Sequence, residues 1–372
     1  MNYGNHKRKK ILLVTLWGYK NYGNRLQAIA LKQMIKENGF DVVCAATQQC
    51  SYLSRFKRLV KITLGFLRYS RFRKIYLQDL RRQALLRTSR TILEPITHDI
   101  HGYQTQKTIV PDDYAFAVTG SDQVWHKWSR NEHELPYYYL QFMPENKRIS
   151  YAASFGFDSF KQEDLSAHTI GLSGMHRISC REQSGCNLVS QLTGTPAELV
   201  LDPTLCVGRS FWNQMEQKPF FSLSSRYALV FILGDKKEYL SKIRSYTSEH
   251  DLDIIDLFDE NRVDVWRTGI GQFIWLVHHA EVIFTDSFHC TVFSILYEKS
   301  FTVFRRKQAK MEEMFGRLDT LLKLTETENH IYDGRSIKQS TIDYEKVKKL
   351  LEPMQKKSVE WLQHVLHDDL EE

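Results

Sequence analysis

Apolar residues along this chain gather into short runs, and the segments between them repeat with helical spacing. Lys10–Leu16 (KILLVTL) reads as a first core strand and Trp17–Asn24 as a Gly/Asn-rich turn. In Arg25–Asn38 the residues Leu26, Ile29, Ala30 and Met34 recur at helical intervals, and Gly39 suits the end of a helix. Asp41–Ala45 is the next strand, so the chain opens as a βαβ unit without the G-x-G-x-x-G fingerprint of dinucleotide binding. Further strands are expected at Tyr114–Thr119, Arg148–Ser154, Arg177–Cys180 and Glu198–Leu201, with helices over Leu165–Leu172 and from Arg181-Glu182 to about Leu192. Strand and helix alternating at this spacing predict a parallel, doubly wound sheet.

Cys206–Ser225 breaks the alternation, and a second α/β set follows it. Its strands are expected at Tyr227–Leu233, Ile254–Leu257, Glu281–Thr285 and Phe301–Phe304, with helices over Lys237–Glu249, Gly271–His279 and Cys290–Glu298. Phe315–Leu324 and Asp343–Leu351 read as helices, and Pro353 as the start of a last one over Met354–Leu366. The expected division is a first domain over 1–205 with a basic helical insertion at about 54–90, a linker over 206–225 and a second domain over 226–352. A helix and acidic tail over 353–372 would return to the first domain.

Composition narrows this picture in few places. A chain of 372 residues is too long for one core. Hydrophobic residues at 42% and charged residues at 26% are ordinary for a soluble protein. No apolar run approaches the roughly 18 residues of a membrane span. The six cysteines lack zinc or C-x-x-C spacing, which favours reduced thiols and a cytoplasmic setting. The net charge of +7 is local: Arg55–Arg90 holds 12 Lys and Arg against one acid, Asp79. The rest of the chain carries 39 basic and 43 acidic residues. That basic stretch, with Leu59, Val60, Phe66 and Leu67 interleaved, reads either as a solvated helix packed on its domain or as a contact with anionic lipid. No nucleic-acid motif accompanies it.

Candidate chemistry sits just past the expected strands, where open α/β sheets bind ligands. Asp286, Ser287 and His289 follow one strand and open a helix, a setting that favours an anion. Gly120-Ser121-Asp122-Gln123-Val124-Trp125 follows another, and Asp202-Pro203-Thr204 a third. For Asp122 and Asp202, capping a helix or holding a turn is the competing role. For His289 the competing role is to cap its own helix.

Four separated blocks carry a resemblance: Tyr22-Gly23-Asn24-Arg25-Leu26-Gln27, Gly120 to Trp125, Asp202-Pro203-Thr204 and Thr285-Asp286-Ser287-Phe288-His289. In this order the chain resembles the polysaccharide pyruvyl transferase family. The resemblance implies an α/β fold of two Rossmann-like domains facing across a cleft, as in GT-B glycosyltransferases. It also implies transfer of a pyruvyl group from phosphoenolpyruvate onto two hydroxyls of a sugar in a cell-surface polysaccharide or its lipid-linked precursor, giving a pyruvate ketal. Phosphoenolpyruvate is then a co-substrate, and no metal or other cofactor is expected. His289, Asp122 and Asp202 become the catalytic candidates. Arg181 (in R-E-x-S), Ser287, His289 and Arg305 become donor-binding candidates, and Asn24, Arg25, Gln27, Ser121, Gln123 and Trp125 acceptor-binding ones. For Arg181 a salt bridge to Glu182 or Asp202 is the competing role.

Two departures stand out. Several relatives carry an arginine in S-x-R-x-H, whereas this turn reads Ser287-Phe288-His289, and the missing cation is expected from Arg181 or from Arg305, Arg306 or Lys307. Many relatives also have N-x-G-D where this chain has Tyr22-Gly23-Asn24-Arg25. A nucleotide-sugar glycosyltransferase and a non-catalytic, membrane-docked assembly protein remain the alternatives.

Overall fold

The computed structural model describes residues 8–16, 21–48, 59–64, 66–67, 70–93, 96–99, 109–128, 132–306, 316–337 and 340–367. The expected turn at Trp17–Lys20, the first residues of the basic segment, Lys307 and the acidic tail lie outside them.

Two all-parallel sheets form, one from each half of the chain. The first comprises β1 (Lys10–Val14), β2 (Asp41–Gln48), β3 (Ile96–Asp99), β4 (Phe116–Asp122), β5 (Arg148–Ala153), β6 (Arg177–Cys180) and β7 (Glu198–Leu199), in the order β3-β2-β1-β4-β5-β6-β7. Ile11, Leu12, Leu13 and Val14 of β1 are fully buried, because helices cover both faces of a parallel sheet. The second comprises β8 (Tyr227–Phe231), β9 (Asp253–Asp256), β10 (Val282–Thr285) and β11 (Ser300–Val303), in the order β11-β10-β8-β9.

Six helices matter for the site: α1 (Tyr22–Glu37), α2 (Ser70–Leu93), α3 (Ile270–His279), α4 (Phe288–Leu296), α5 (Gly316–Leu324) and α6 (Tyr344–His367). Helix α1 starts three residues before the expected Arg25, because the Asn21 side chain caps it by accepting from the Gly23 N–H at 2.9 Å. Tyr22, Gly23 and Asn24 are therefore helical, not loop. The first turn of α1 docks on the second domain: the Tyr22 hydroxyl donates to the Thr268 carbonyl at 2.8 Å, and its ring stacks on Phe273 of α3 at 4.6 Å.

Two expectations need correction. Pro353 does not start a helix; α6 runs straight through it. A proline in a helix interior costs about 3 kcal/mol. Burial of Val347, Leu351, Leu362, Val365 and Leu366 along α6 outweighs that cost. This helix hydrogen-bonds the first half of the chain, where the Leu201 N–H donates to Ser358 Oγ at 2.9 Å and Gln355 Nε2 to the Leu205 carbonyl at 2.8 Å.

The basic segment is also not wholly a solvated face. Arg81 of α2 is 1% exposed and donates to the Leu257 carbonyl of the second half. Its guanidinium lies 4.4 Å from the Trp266 ring centre, 4.6 Å from Phe258 and 5.3 Å from Tyr22. Burial lowers its pKa. Arg81 thus joins α2 to the second sheet through an aromatic cage. Arg81→Ala is expected to lower stability by about 2–4 kcal/mol, the range for losing a desolvated cation–π contact and a large buried side chain. Arg81→Met, which keeps the volume without the charge, should recover most of the loss in chemical denaturation.

Candidate active site

The carboxyl ends of both sheets converge on one cleft of ≈360 Å³. From the first sheet's side come Asn24, Asp122, Gln123 and Trp128, and from the second's come Ser287, Phe288, His289, Arg306 and Arg317.

The floor of this junction is a buried ion cluster. Asp122 ends β4, Arg181 follows β6, and Asp202 precedes a short helix over Pro203–Cys206 whose first turn it caps, accepting from the Thr204 N–H at 3.1 Å. The Arg181 side chain is 0% exposed and reaches Asp122 Oδ1 and Asp202 Oδ2, each at 2.9 Å, with Glu182 Oε2 at 3.6 Å. Ser121 Oγ donates to Asp202 Oδ2 at 2.8 Å, Thr204 Oγ1 donates to Oδ1 at 2.6 Å, and Asn24 Nδ2 donates to Asp122 Oδ2. Burial pushes the Asp202 carboxyl up, but His289, Arg181 and Thr204 outweigh it and hold the pKa well below the usual range. Asp122 is lowered in the same way: burial raises it, and Arg181, His289 and Arg317 overcome that. Glu182 goes the other way, raised because burial exceeds the pull of Arg181.

His289 meets this cluster from the opposite domain. It sits in the first turn of α4, 6% exposed, with Nε2 3.6 Å from Asp202 Oδ2. Ser287 precedes α4 and makes no side-chain cap bond to it, and Ser287, Phe288 and His289 at this helix start line the cleft. Gly23 explains the close approach of the two halves. A Cβ there would overlap Nδ1 of His289 and come within 2.7 Å of its Cγ. Asp286 does not reach the cleft; it accepts from the Leu233 and Gly234 N–H groups at 2.7 and 2.8 Å and from Arg306 Nε at 3.0 Å.

The sequence-chosen residues divide accordingly. Asn24, Asp122, Gln123, Ser287 and His289 line the cleft, while Asp202 and Ser121 stand directly behind it. Arg181 is sealed in the cluster and does not line the cleft, so it is not placed to bind a donor directly. Arg25 and Gln27 are fully buried on α1; Gln27 Nε2 donates to Thr15 Oγ1 at 2.8 Å and the Asn24 carbonyl at 2.9 Å. Trp125 is core, stacked on Tyr139 at 5.3 Å; the cleft's tryptophan is Trp128, whose indole donates to the Gln123 carbonyl at 3.1 Å. Arg305 points to Asp319 at 3.8 Å with its side chain 57% exposed, and its neighbour Arg306 lines the cleft instead. Arg317 was missed, since nothing in its local sequence marks it; only the return of α5 to the cleft does.

Two of the four sequence blocks, ending in Gln27 and Trp125, thus supply one face of the cleft, and the block ending in His289 supplies the other. A model of the family described as polysaccharide pyruvyl transferase matches residues 21–308, most of the chain. The chain belongs to the polysaccharide pyruvyl transferase family. No curated protein matches it. Among solved structures, a Listeria monocytogenes protein assigned as a UDP-N-acetylglucosamine 2-epimerase is similar over 96% of this chain and 91% of its own, at 8% identity and a TM-score of 0.51. The UDP-GlcNAc 2-epimerase of Methanocaldococcus jannaschii is similar over 93% of this chain and 92% of its own, at 12% identity and a TM-score of 0.47. At such identities the likeness concerns fold alone: two Rossmann-like domains across a cleft, the GT-B-like arrangement expected for this family member.

Gly23→Ala tests the close approach. Alanine is a better helix former than glycine, so stability should change by no more than about 1 kcal/mol. The imidazole must nevertheless swing away, and turnover should fall at least tenfold with an unchanged melting temperature. Wild-type turnover in this variant would show that the position of His289 is not critical.

Proposed function

We propose that this protein moves the pyruvyl group of phosphoenolpyruvate onto two hydroxyls of a sugar, in a cell-surface polysaccharide or its lipid-linked precursor, and forms a cyclic ketal. The observation that carries this reading is His289 in the cleft at the start of α4, with Asp202 3.6 Å from its ring, in a chain of this family.

The reaction balances with these groups. A proton from an acid adds to the methylene carbon of phosphoenolpyruvate and makes C2 electrophilic. One sugar hydroxyl adds at C2, phosphate leaves, and the second hydroxyl closes the ring. Of the two hydroxyl protons, one replaces the acid's proton and the other leaves with phosphate. His289 is the proton donor, because its ring stands in the cleft beside the ionised Asp202. Asp202 orients it and stays ionised. Asp122, also ionised and lining the cleft, is placed to accept a proton from an attacking hydroxyl. Asn24 and Gln123 present amides that suit sugar hydroxyls, and Trp128 an aromatic face that suits a pyranose.

Phosphate release from phosphoenolpyruvate should require the acceptor glycan, and the product should gain a pyruvyl ketal by mass spectrometry. His289→Ala should lower that release by about 10²–10⁴-fold. Full activity in this variant would remove His289 from the mechanism. Stabilisation by nucleotide sugars and not by phosphoenolpyruvate would favour a glycosyltransferase.

The lipid-linked form of the acceptor also fits a surface on the basic segment. Among the described residues, Leu59, Val60, Phe66 and Leu67 are 60%, 43%, 62% and 60% exposed, with Lys61, Arg73 and Lys74 nearby in sequence. No helix among the described residues is long and apolar enough to cross a membrane. We place this face on an anionic bilayer, where apolar side chains enter the interface and each Lys or Arg adds about 1 kcal/mol. The protein should sediment with phosphatidylglycerol vesicles and not with phosphatidylcholine vesicles, and Leu59→Glu/Phe66→Glu should lose at least tenfold in binding. Equal sedimentation of wild type and double variant would rule this surface out.

A further inference from the structure

We infer that Arg317 and Arg306 together form the anion-binding pair of the cleft, the pair that takes the phosphate of a phosphate-monoester donor. This deepens the pyruvyl-transfer reading, and the donor's identity rests on it. The start of α4 has Phe288 and no arginine, so a cation for the donor must arrive from elsewhere in the fold.

Arg181 cannot serve. Its guanidinium is spent on Asp122 and Asp202, its side chain is 0% exposed, and it does not line the cleft. Arg317 does line it, although it lies beyond the segment the family model matches. It sits at the second residue of α5, with its side chain 12% exposed. Among the described residues it pairs with Asp122 Oδ1 at 3.7 Å, an oxygen that already accepts from Arg181 Nη2 at 2.9 Å. Its Nε is buried without a hydrogen-bond partner among the described residues. Burial, with Arg181 and Arg306 close by, lowers its pKa to about 10 despite Asp122 and Glu182. A buried cation that shares its carboxylate with another arginine is only partly neutralised by the described residues, and an incoming anion would offset the cost of burying it.

Arg306 supplies the second positive group. Nε donates to Asp286 Oδ2 at 3.0 Å and Nη2 to the Asp286 carbonyl at 3.1 Å, which orients the guanidinium along the cleft wall. Phe288 holds the geometry together. Arg181 lies 4.8 Å from its ring centre and Arg317 5.9 Å. Both guanidiniums thus share one aromatic neighbour as well as Asp122 Oδ1. Two guanidiniums beside the first turn of α4 suit a phosphate dianion: Arg317 brings a buried Nε without a partner among the described residues, and Arg306, held by Asp286, adds a second positive charge to the cleft wall. On phosphate departure the same pair would neutralise the leaving group.

The test is calorimetric titration of phosphoenolpyruvate and, separately, inorganic phosphate into wild type, Arg317→Ala, Arg317→Met, Arg317→Lys and Arg305→Ala. Arg305→Ala removes the same charge from a surface position. Arg317→Ala and Arg317→Met should weaken both ligands at least tenfold, Arg317→Lys should recover part of the loss, and Arg305→Ala should stay within twofold. Arg317→Met keeps the side-chain volume and serves if the alanine variant does not fold. Wild-type affinity in the folded alanine or methionine variant overturns the inference and leaves pyruvyl transfer intact. Arg317-dependent phosphate binding without glycan-dependent release of phosphate from phosphoenolpyruvate keeps the inference and overturns the pyruvyl reading. Binding of neither ligand to wild type overturns both.

Discussion

One buried guanidinium organises this protein. Arg181 sits where the strands of the first sheet end and gathers Asp122, Asp202 and Glu182 around itself. Three carboxylates in a dry junction would repel one another without it, and with it two of them stay ionised. Asp202 can then face His289 across the domain boundary as a fixed negative group. A buried cluster of this kind contributes little net stability, because desolvation offsets most of the attraction. Its consequence is positional: both carboxylates and the histidine of the opposite domain share one frame of reference.

The two domains also meet through apolar contacts that keep this frame rigid. Tyr22 docks the start of α1 on α3, and Gly23, one residue on, leaves room for the imidazole. Arg81 closes the other side of the same junction inside a cage of Tyr22, Phe258 and Trp266. The basic segment therefore has two faces with different physical roles. One arginine acts as a buried bolt between the halves, and the exposed apolar positions near Leu59 and Phe66 remain a surface.

Charge in the cleft follows from which arginine faces which way. Arg181 is enclosed by its carboxylates, whereas Arg306 and Arg317 come from the far side and line the open space. Phe288, which stands where relatives of this family carry an arginine nearby, has the guanidiniums of Arg181 and Arg317 at 4.8 and 5.9 Å from its ring centre. An aromatic residue can thus take part in an anion site without bearing charge, by placing cations that come from distant segments.

The periodicity of apolar residues placed every strand of both sheets except β3, because a parallel strand covered on both faces needs an unbroken apolar run and β3, an edge strand reading ITHD, has none. The blocks around Asn24, Asp122, Asp202 and His289 were legible for a related reason: strand ends in such sheets are where ligands bind, and short polar clusters stand out there. Side-chain direction was not legible. Trp125 and Trp128 are three residues apart, and only packing against Tyr139 sends the first into the core and leaves the second in the cleft. Arg305 and Arg306 are adjacent just past β11, and only their partners, Asp319 for the first and Asp286 for the second, set their directions. Arg181 read either as a ligand or as a partner of Glu182 or Asp202, and nothing local chose between these or revealed Asp122, 59 residues away, as a further partner. Arg317 carried no local signal at all. The sequence by itself determined the elements, the fold class and the family, since these rest on local periodicity and short motifs. Only the tertiary structure decided which arginines are neutralised and which face the cleft, because a side chain's charge is balanced by neighbours that the chain brings together from far apart.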